Sequence, residues 1–287
     1  MGFRILGARA RCALRSATTV LVLAVLMSIA PGANPARATA PPPADITARE
    51  IIRTLFLARA GEPVDFSGRA LRYLDLSGLD FKGALFVNAD LYGIDLTGAQ
   101  MAGADLTGVR LDRANIAKAD FSGADLTGAT LLRPNAFLTV EFDIRDAPKF
   151  NGAKLIGVRV KARLDGADFR GADLTDADFS PLEKRPGERD AATNSRNQLI
   201  ACNFSGATLT RVDFTLSILT HARFVGADLR GANFTGSELS NADFSGANLA
   251  GADFTGADLD GARIGSAIGL DQVIGLAAAL NVDTARR

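Results

Sequence analysis

Residues 251–262 read Gly-Ala-Asp-Phe-Thr-Gly-Ala-Asp-Leu-Asp-Gly-Ala, and a large apolar residue, Phe254 then Leu259, returns after five positions. Ala252 and Ala257 stand two places before these centres, and Asp253 and Asp258 fall between. Outward from here the spacing holds without a miss from Leu199 to Ile264, fourteen centres, and again from Phe66 to Leu131, another fourteen. Leu164, Phe169, Leu174 and Phe179 form a third run, and Phe150, Leu155 and Val160 a short fourth. A period of five matches neither the 3.6 of an α-helix nor the 2.0 of a strand. It matches a chain that turns a corner every five residues, with one large and one small side chain facing inward.

These units resemble the A(D/N)LxG pattern of the pentapeptide-repeat family, over roughly residues 64–266 apart from two interruptions. The resemblance implies an all-β fold, a right-handed quadrilateral β-helix with four pentapeptides to each coil and short helical caps. Coils stacked at the inter-strand spacing, about 4.8 Å, would make thirty-five centres into about nine coils and a rod of roughly 40 Å. Each buried Leu or Phe contributes about 1.5–3 kcal/mol relative to exposure. Ordering the chain opposes much of that, so stability accumulates between stacked neighbours. From Phe204 to Leu259 the centres alternate strictly Phe and Leu. In a twenty-residue coil that alternation predicts two opposite faces stacked with Phe and two with Leu.

The ends carry different signals. Residues 1–38 read as a signal peptide: Arg4, Arg9, Arg11 and Arg15 precede the apolar run Val20–Ala30, and Ala36-Arg37-Ala38 supplies a small-x-small cleavage pattern. An uncleaved membrane anchor is the other reading of this segment. Residues 39–46 are a Pro-rich linker. Thr47-Ala48-Arg49-Glu50 is a capping box, Ile46 and Ile51 stand at staple positions, and Gly61 with Pro63 ends the segment. These predict a capping helix within 47–62, its apolar stripe formed by Ile51, Ile52, Leu55 and Phe56. The solenoid is expected over 63–266, interrupted at 132–149 and 180–198. In the first break Leu138, Val140, Phe142 and Ile144 alternate with polar residues, as in a half-buried strand. The second is polar and holds two prolines, as an exposed loop would. Over 267–287, Leu270, Val273, Ile274, Ala277 and Leu280 recur at helical spacing, which predicts a helical cap and tail. In gyrase-inhibiting members of the family a C-terminal element makes a dimer, so the resemblance adds a possible dimer through this end.

Chemistry is sparse. His221 is the only histidine and falls two places after Leu219, on the outer surface, which is unsuited to a triad. After cleavage Cys202 is the only cysteine; it sits at a small inward position and is expected to be buried. Asp105, Asp125, Asp228, Asp243 and Asp253 all stand just before a centre, where Asp serves turn chemistry better than calcium ligation. Asn203-Phe-Ser205 and Asn233-Phe-Thr235 match the glycosylation pattern, but the repeat itself writes that pattern. The sequence therefore offers no catalytic, cofactor or metal residues.

Without residues 1–38 the chain has 27 basic and 32 acidic residues, a net −5 that argues against a nucleic-acid partner. The expectation is a non-catalytic, periplasmic or secreted scaffold that binds a protein. The alternative is an inhibitor of a DNA topoisomerase acting by mimicry of duplex charge. Against it, residues 66–131 net only −2 and 199–264 only −3, and export would separate the chain from DNA.

Overall fold

The computed structural model describes residues 44–59, 61–81, 83–138, 143–181 and 196–286. The expected signal peptide, most of the linker and the middle of the second interruption lie outside them.

The backbone is a set of parallel ladders. Asp65 bridges Leu85, Leu85 bridges Asp105, and Asp105 bridges Asp125, each pairing with the residue twenty places on. Three companion columns start at Ala70, Asp75 and Asp80 with the same offset. Four pentapeptides therefore bring the chain back to the same column. The corners follow from one turn repeated. The carbonyl of Phe81 accepts from the amide of Ala84 at 2.9 Å, and Gly83 between them has φ +71°. A four-residue turn with positive φ at its third residue is type II, which explains the glycine two places after most centres. Where Arg, Asn or Leu stands there instead, as at Arg211, Asn241 and Leu216, the residue adopts the same left-handed conformation.

Inside, every centre is buried, as are the small residues from Ala84 to Ala262, while Val64, Leu74 and Leu79 of the first coil are only partly covered; the expected columns form. Phe204, Phe224 and Phe244 stack on one side with ring centroids 5.1 and 4.9 Å apart. Phe214, Phe234 and Phe254 stack on another at 5.5 and 4.9 Å. Ten residues are half a coil, so these columns face each other, and their rings meet edge to face at 5.7–6.1 Å. The first column runs further than the alternation suggests. Phe121, Phe150 and Phe169 extend it at 5.2, 4.9 and 4.8 Å, through both interruptions.

The helix α1 covers Ala48–Leu57 and has the expected capping box, with Thr47 and Glu50 bonded reciprocally. Only Ile51 and Leu55 of its stripe are buried; Ile52 and Phe56 are exposed. The helix stops at Leu57, short of the glycine, because Ala58 is already extended. Just before it, Asp45 donates its amide to the Ala70 carbonyl and accepts from the Ala70 amide, both at 2.8 Å, so this segment pairs the first coil's edge.

Three expectations need correction. The C-terminal segment is no α-helix. It is one more coil with sides of six residues, whose rungs Ile268, Ile274, Leu280 and Arg286 pair with Asn248, Asp253, Asp258 and Arg263. Each extra residue goes into a 3-10 turn, at Leu270–Gln272, Leu276–Ala278 and Val282–Thr284, led by Gly269, Gly275 or Asn281 at positive φ. The first break is shorter than 132–149. Thr130–Leu132 (β1) pairs in parallel with Arg159–Lys161 (β2), and Asn135 still bridges Asn115. Residues 139–142, the middle of the expected half-buried strand, lie outside the described set; of its described apolar positions Leu138 and Ile144 are exposed, and Ile144–Asp146 is a 3-10 turn. The second break ends earlier than 198, because Gln198 bridges both Arg163 and Ile218.

Candidate functional site

The outer positions are largely committed to the fold. Asp105 accepts from the Thr107 amide at 3.0 Å and its hydroxyl at 2.6 Å, and Asp243 does the same for Ser245. Asp125 and Asp253 accept the amides of Thr127 and Thr255, and Asp228 that of Arg230. Asn203 and Asn233, in the apparent glycosylation patterns, accept the amides of Ser205 and Thr235 in the same way. At Asp125 and Asp243 burial pushes upward, but these hydrogen bonds and nearby cations outweigh it and hold both below the usual carboxylate range; at Asp228 the Arg230 side chain leads the downward shift, with burial opposing. Among the described residues no group of three or more His, Cys, Asp or Glu is placed to hold a metal.

His221 is exposed and occupies the left-handed corner position, with φ +60°. Cys202 is fully buried beside the Leu164 carbonyl, 3.0 Å from its Sγ, and burial pushes its thiol well above the ordinary range. A thiol held protonated and away from solvent is inert.

The irregular corner between the two breaks differs. From Val160 to Leu164 the centres are four apart instead of five, and the pairing offset falls with them, Lys154 to Asp173 being nineteen residues. One corner residue is missing. Lys161, which a five-residue side would place out on the turn, is therefore drawn into β2 and lies 96% buried, its Nζ without a hydrogen-bond partner. Burial pushes its pKa down from the ordinary 10.5, and Arg133 and then Arg196 push the same way, with Asp178 opposing.

Next to it Asn197 closes the chain. Fully buried at a small inward position, it accepts from the Ala162 amide at 2.6 Å and donates to the carbonyls of Val160, at 3.1 Å, and Phe179, at 2.5 Å. Asn197 thus replaces ladder bonds that the missing residue removes. Arg196 spreads along the following coils, donating to the carbonyls of Leu216 and Gly236 and pairing with Glu238. Arg163 pairs with Asp165 at 2.6 Å and lies 5.7 Å over the Phe137 ring. Arg133, Pro134, Lys161, Ala162, Arg163, Arg196 and Gln198 line a pocket of about 220 Å3 at this corner. Counting apolar centres cannot find it, although the spacing of four and the run Arg159-Val160-Lys161-Ala162-Arg163 were visible signals.

Comparison with known proteins agrees with the ladders. Family models described as pentapeptide repeats match residues 64–101, 94–131, 149–180 and 198–236, and a second model of the same description matches 219–267. No curated protein matches the chain. Among solved structures, HetL, a pentapeptide repeat protein involved in heterocyst differentiation regulation from Nostoc sp., is 26% identical; the match covers 84% of this chain and all of HetL, with a TM-score of 0.26. A trypsin-treated variant of QnrB1, a plasmid-mediated fluoroquinolone resistance protein, is 20% identical over 75% of this chain and 90% of its own, with a TM-score of 0.34. A pentapeptide repeat protein from the Arabidopsis thaliana thylakoid lumen is 26% identical over 43% of this chain and 66% of its own, with a TM-score of 0.18.

Proposed function

Because the chain belongs to the pentapeptide-repeat family, its repeat models matching more than half of the residues, we propose that it is an exported, non-catalytic scaffold whose ladder faces recognise a protein. The observation that carries this reading is the commitment of outward groups. Many Asp and Asn side chains of the faces are held by backbone amides two residues on, as at Asp105 and Asp243, so they present fixed acceptors rather than mobile acids or bases. Parallel strands joined by a twenty-residue return wind right-handed for steric reasons, which supports a right-handed, four-sided tube. Helix α1 at one end supports a cap. At the other, Ile268, Ile274 and Leu280 are 61, 55 and 58% exposed around the last coil, which supports contact with a second copy there.

Export rests on the basic and apolar N-terminus. Fractionation with N-terminal sequencing of the protein tests it. The expected product starts at Thr39 outside the cytoplasm. An intact Met1 terminus in the cytosol, together with inhibition of DNA supercoiling by gyrase, would replace this reading with the topoisomerase one.

A further inference from the structure

We propose that the corner pocket between Arg133 and Arg196 binds a compact dianionic oxyanion, either inorganic phosphate or the phosphoryl group of a phosphomonoester. The pocket brings four cationic side chains together: Arg133, Lys161, Arg163 and Arg196. Two of them already have carboxylates, Arg163 with Asp165 and Arg196 with Glu238. Asp178, the other acid acting on Lys161, is paired with Arg159 at 3.4 Å. Among the described residues Arg133 has no ion pair, and the Lys161 ammonium has no acceptor at all. Arg133 and Lys161 are thus the two cations of the pocket left without a carboxylate among the described residues, and a dianion matches both where a single carboxylate does not.

Burial makes the excess matter. An ammonium withdrawn from water is poorly screened, so its charge raises the potential of the adjoining pocket more than a surface lysine would. It is also costly to leave unpaired. A bound anion would offset that cost and keep Lys161 charged, against the downward shift that burial imposes. At about 220 Å3 the pocket is below the range for drug-sized ligands, so a single small group fits it better than a whole metabolite. Arg133 adds a planar fork suited to phosphate oxygens. The Asn197 bonds fix the pocket wall, keeping Ala162 and Val160 in place without the missing residue.

Isothermal titration and thermal unfolding of the full mature chain test the proposal, at constant ionic strength, with inorganic phosphate, glycerol phosphate and chloride as separate additives. Phosphate or glycerol phosphate should bind at one site and raise Tm saturably, and tighter binding of the ester would identify a carried phosphoryl group. At one hundred times Kd the folding equilibrium should shift by about 100-fold. Lys161→Met should weaken binding at least tenfold while folding as well as the parent, because it removes the unpaired charge. Arg133→Gln should weaken binding with Lys161 intact, which separates lost contact from altered packing. Equal responses to phosphate, its ester and chloride, or full binding by Lys161→Met, would overturn the assignment.

Discussion

Phe224 shows what a single inward position contributes. Its ring lies 5.1 Å from Phe204 and 4.9 Å from Phe244 in its own column, and edge to face with Phe214 and Phe234 across the axis. Phe224→Ala is expected to lower stability by about 3–5 kcal/mol, measured by denaturant unfolding, since a rigid tube cannot collapse onto the cavity. This residue was legible because all four neighbours obey the same ten-residue alternation. Lys161 was not. Its burial comes from one absent corner residue, and nothing in its own identity announces that a lysine will face inward.

At the scale of elements, helix α1 was readable because a capping box is a local pattern that neighbouring packing does not alter. The last coil was misread as a helix for a physical reason. Sides of six residues place apolar contacts three apart, beginning with Leu270 and Val273, and a spacing of three is also a helical spacing; Ile274, Ala277 and Leu280, read into the same stripe, are exposed. The decisive signal is Gly269, Gly275 and Asn281, six apart, each at positive φ. Gly275 tests this coil. A Cβ there would stand 2.7 Å from the Thr255 backbone and 2.1 Å from its Oγ1, whereas at Gly256, also at positive φ, nothing lies within 4 Å. Both Gly→Ala changes incur the left-handed strain, on the order of 1 kcal/mol, so Gly275→Ala should lower Tm clearly more than Gly256→Ala. Equal losses would argue against the close seat of this coil on the one before it.

Ahead of the last coil, two insertions and one deletion change the pairing offset among the described rungs without interrupting the stack. Asp120 bridges Lys149 and Asp168 bridges Asn203, offsets of 29 and 35, yet the Phe column continues through both rungs. Extra residues leave at a corner and the chain returns to the same column, which is how a solenoid absorbs loops. The breaks were legible as lost periodicity. Their limits were not, since Ala136 and Asn197 hold inward positions with side chains that do not resemble the repeat.

The twenty-residue return underlies all of this, and disulfide trapping measures it directly. In a chain with Cys202→Ala, the pair Thr208→Cys and Asp228→Cys occupies paired rungs of one ladder, at the inter-strand spacing of about 4.8 Å that a disulfide spans. The pair Thr208→Cys and Asn233→Cys is twenty-five residues apart and falls on different columns. Rapid, near-complete oxidation of the first pair and none of the second is the expected result. Comparable crosslinking of both pairs, or of the second alone, would contradict the four-column coil.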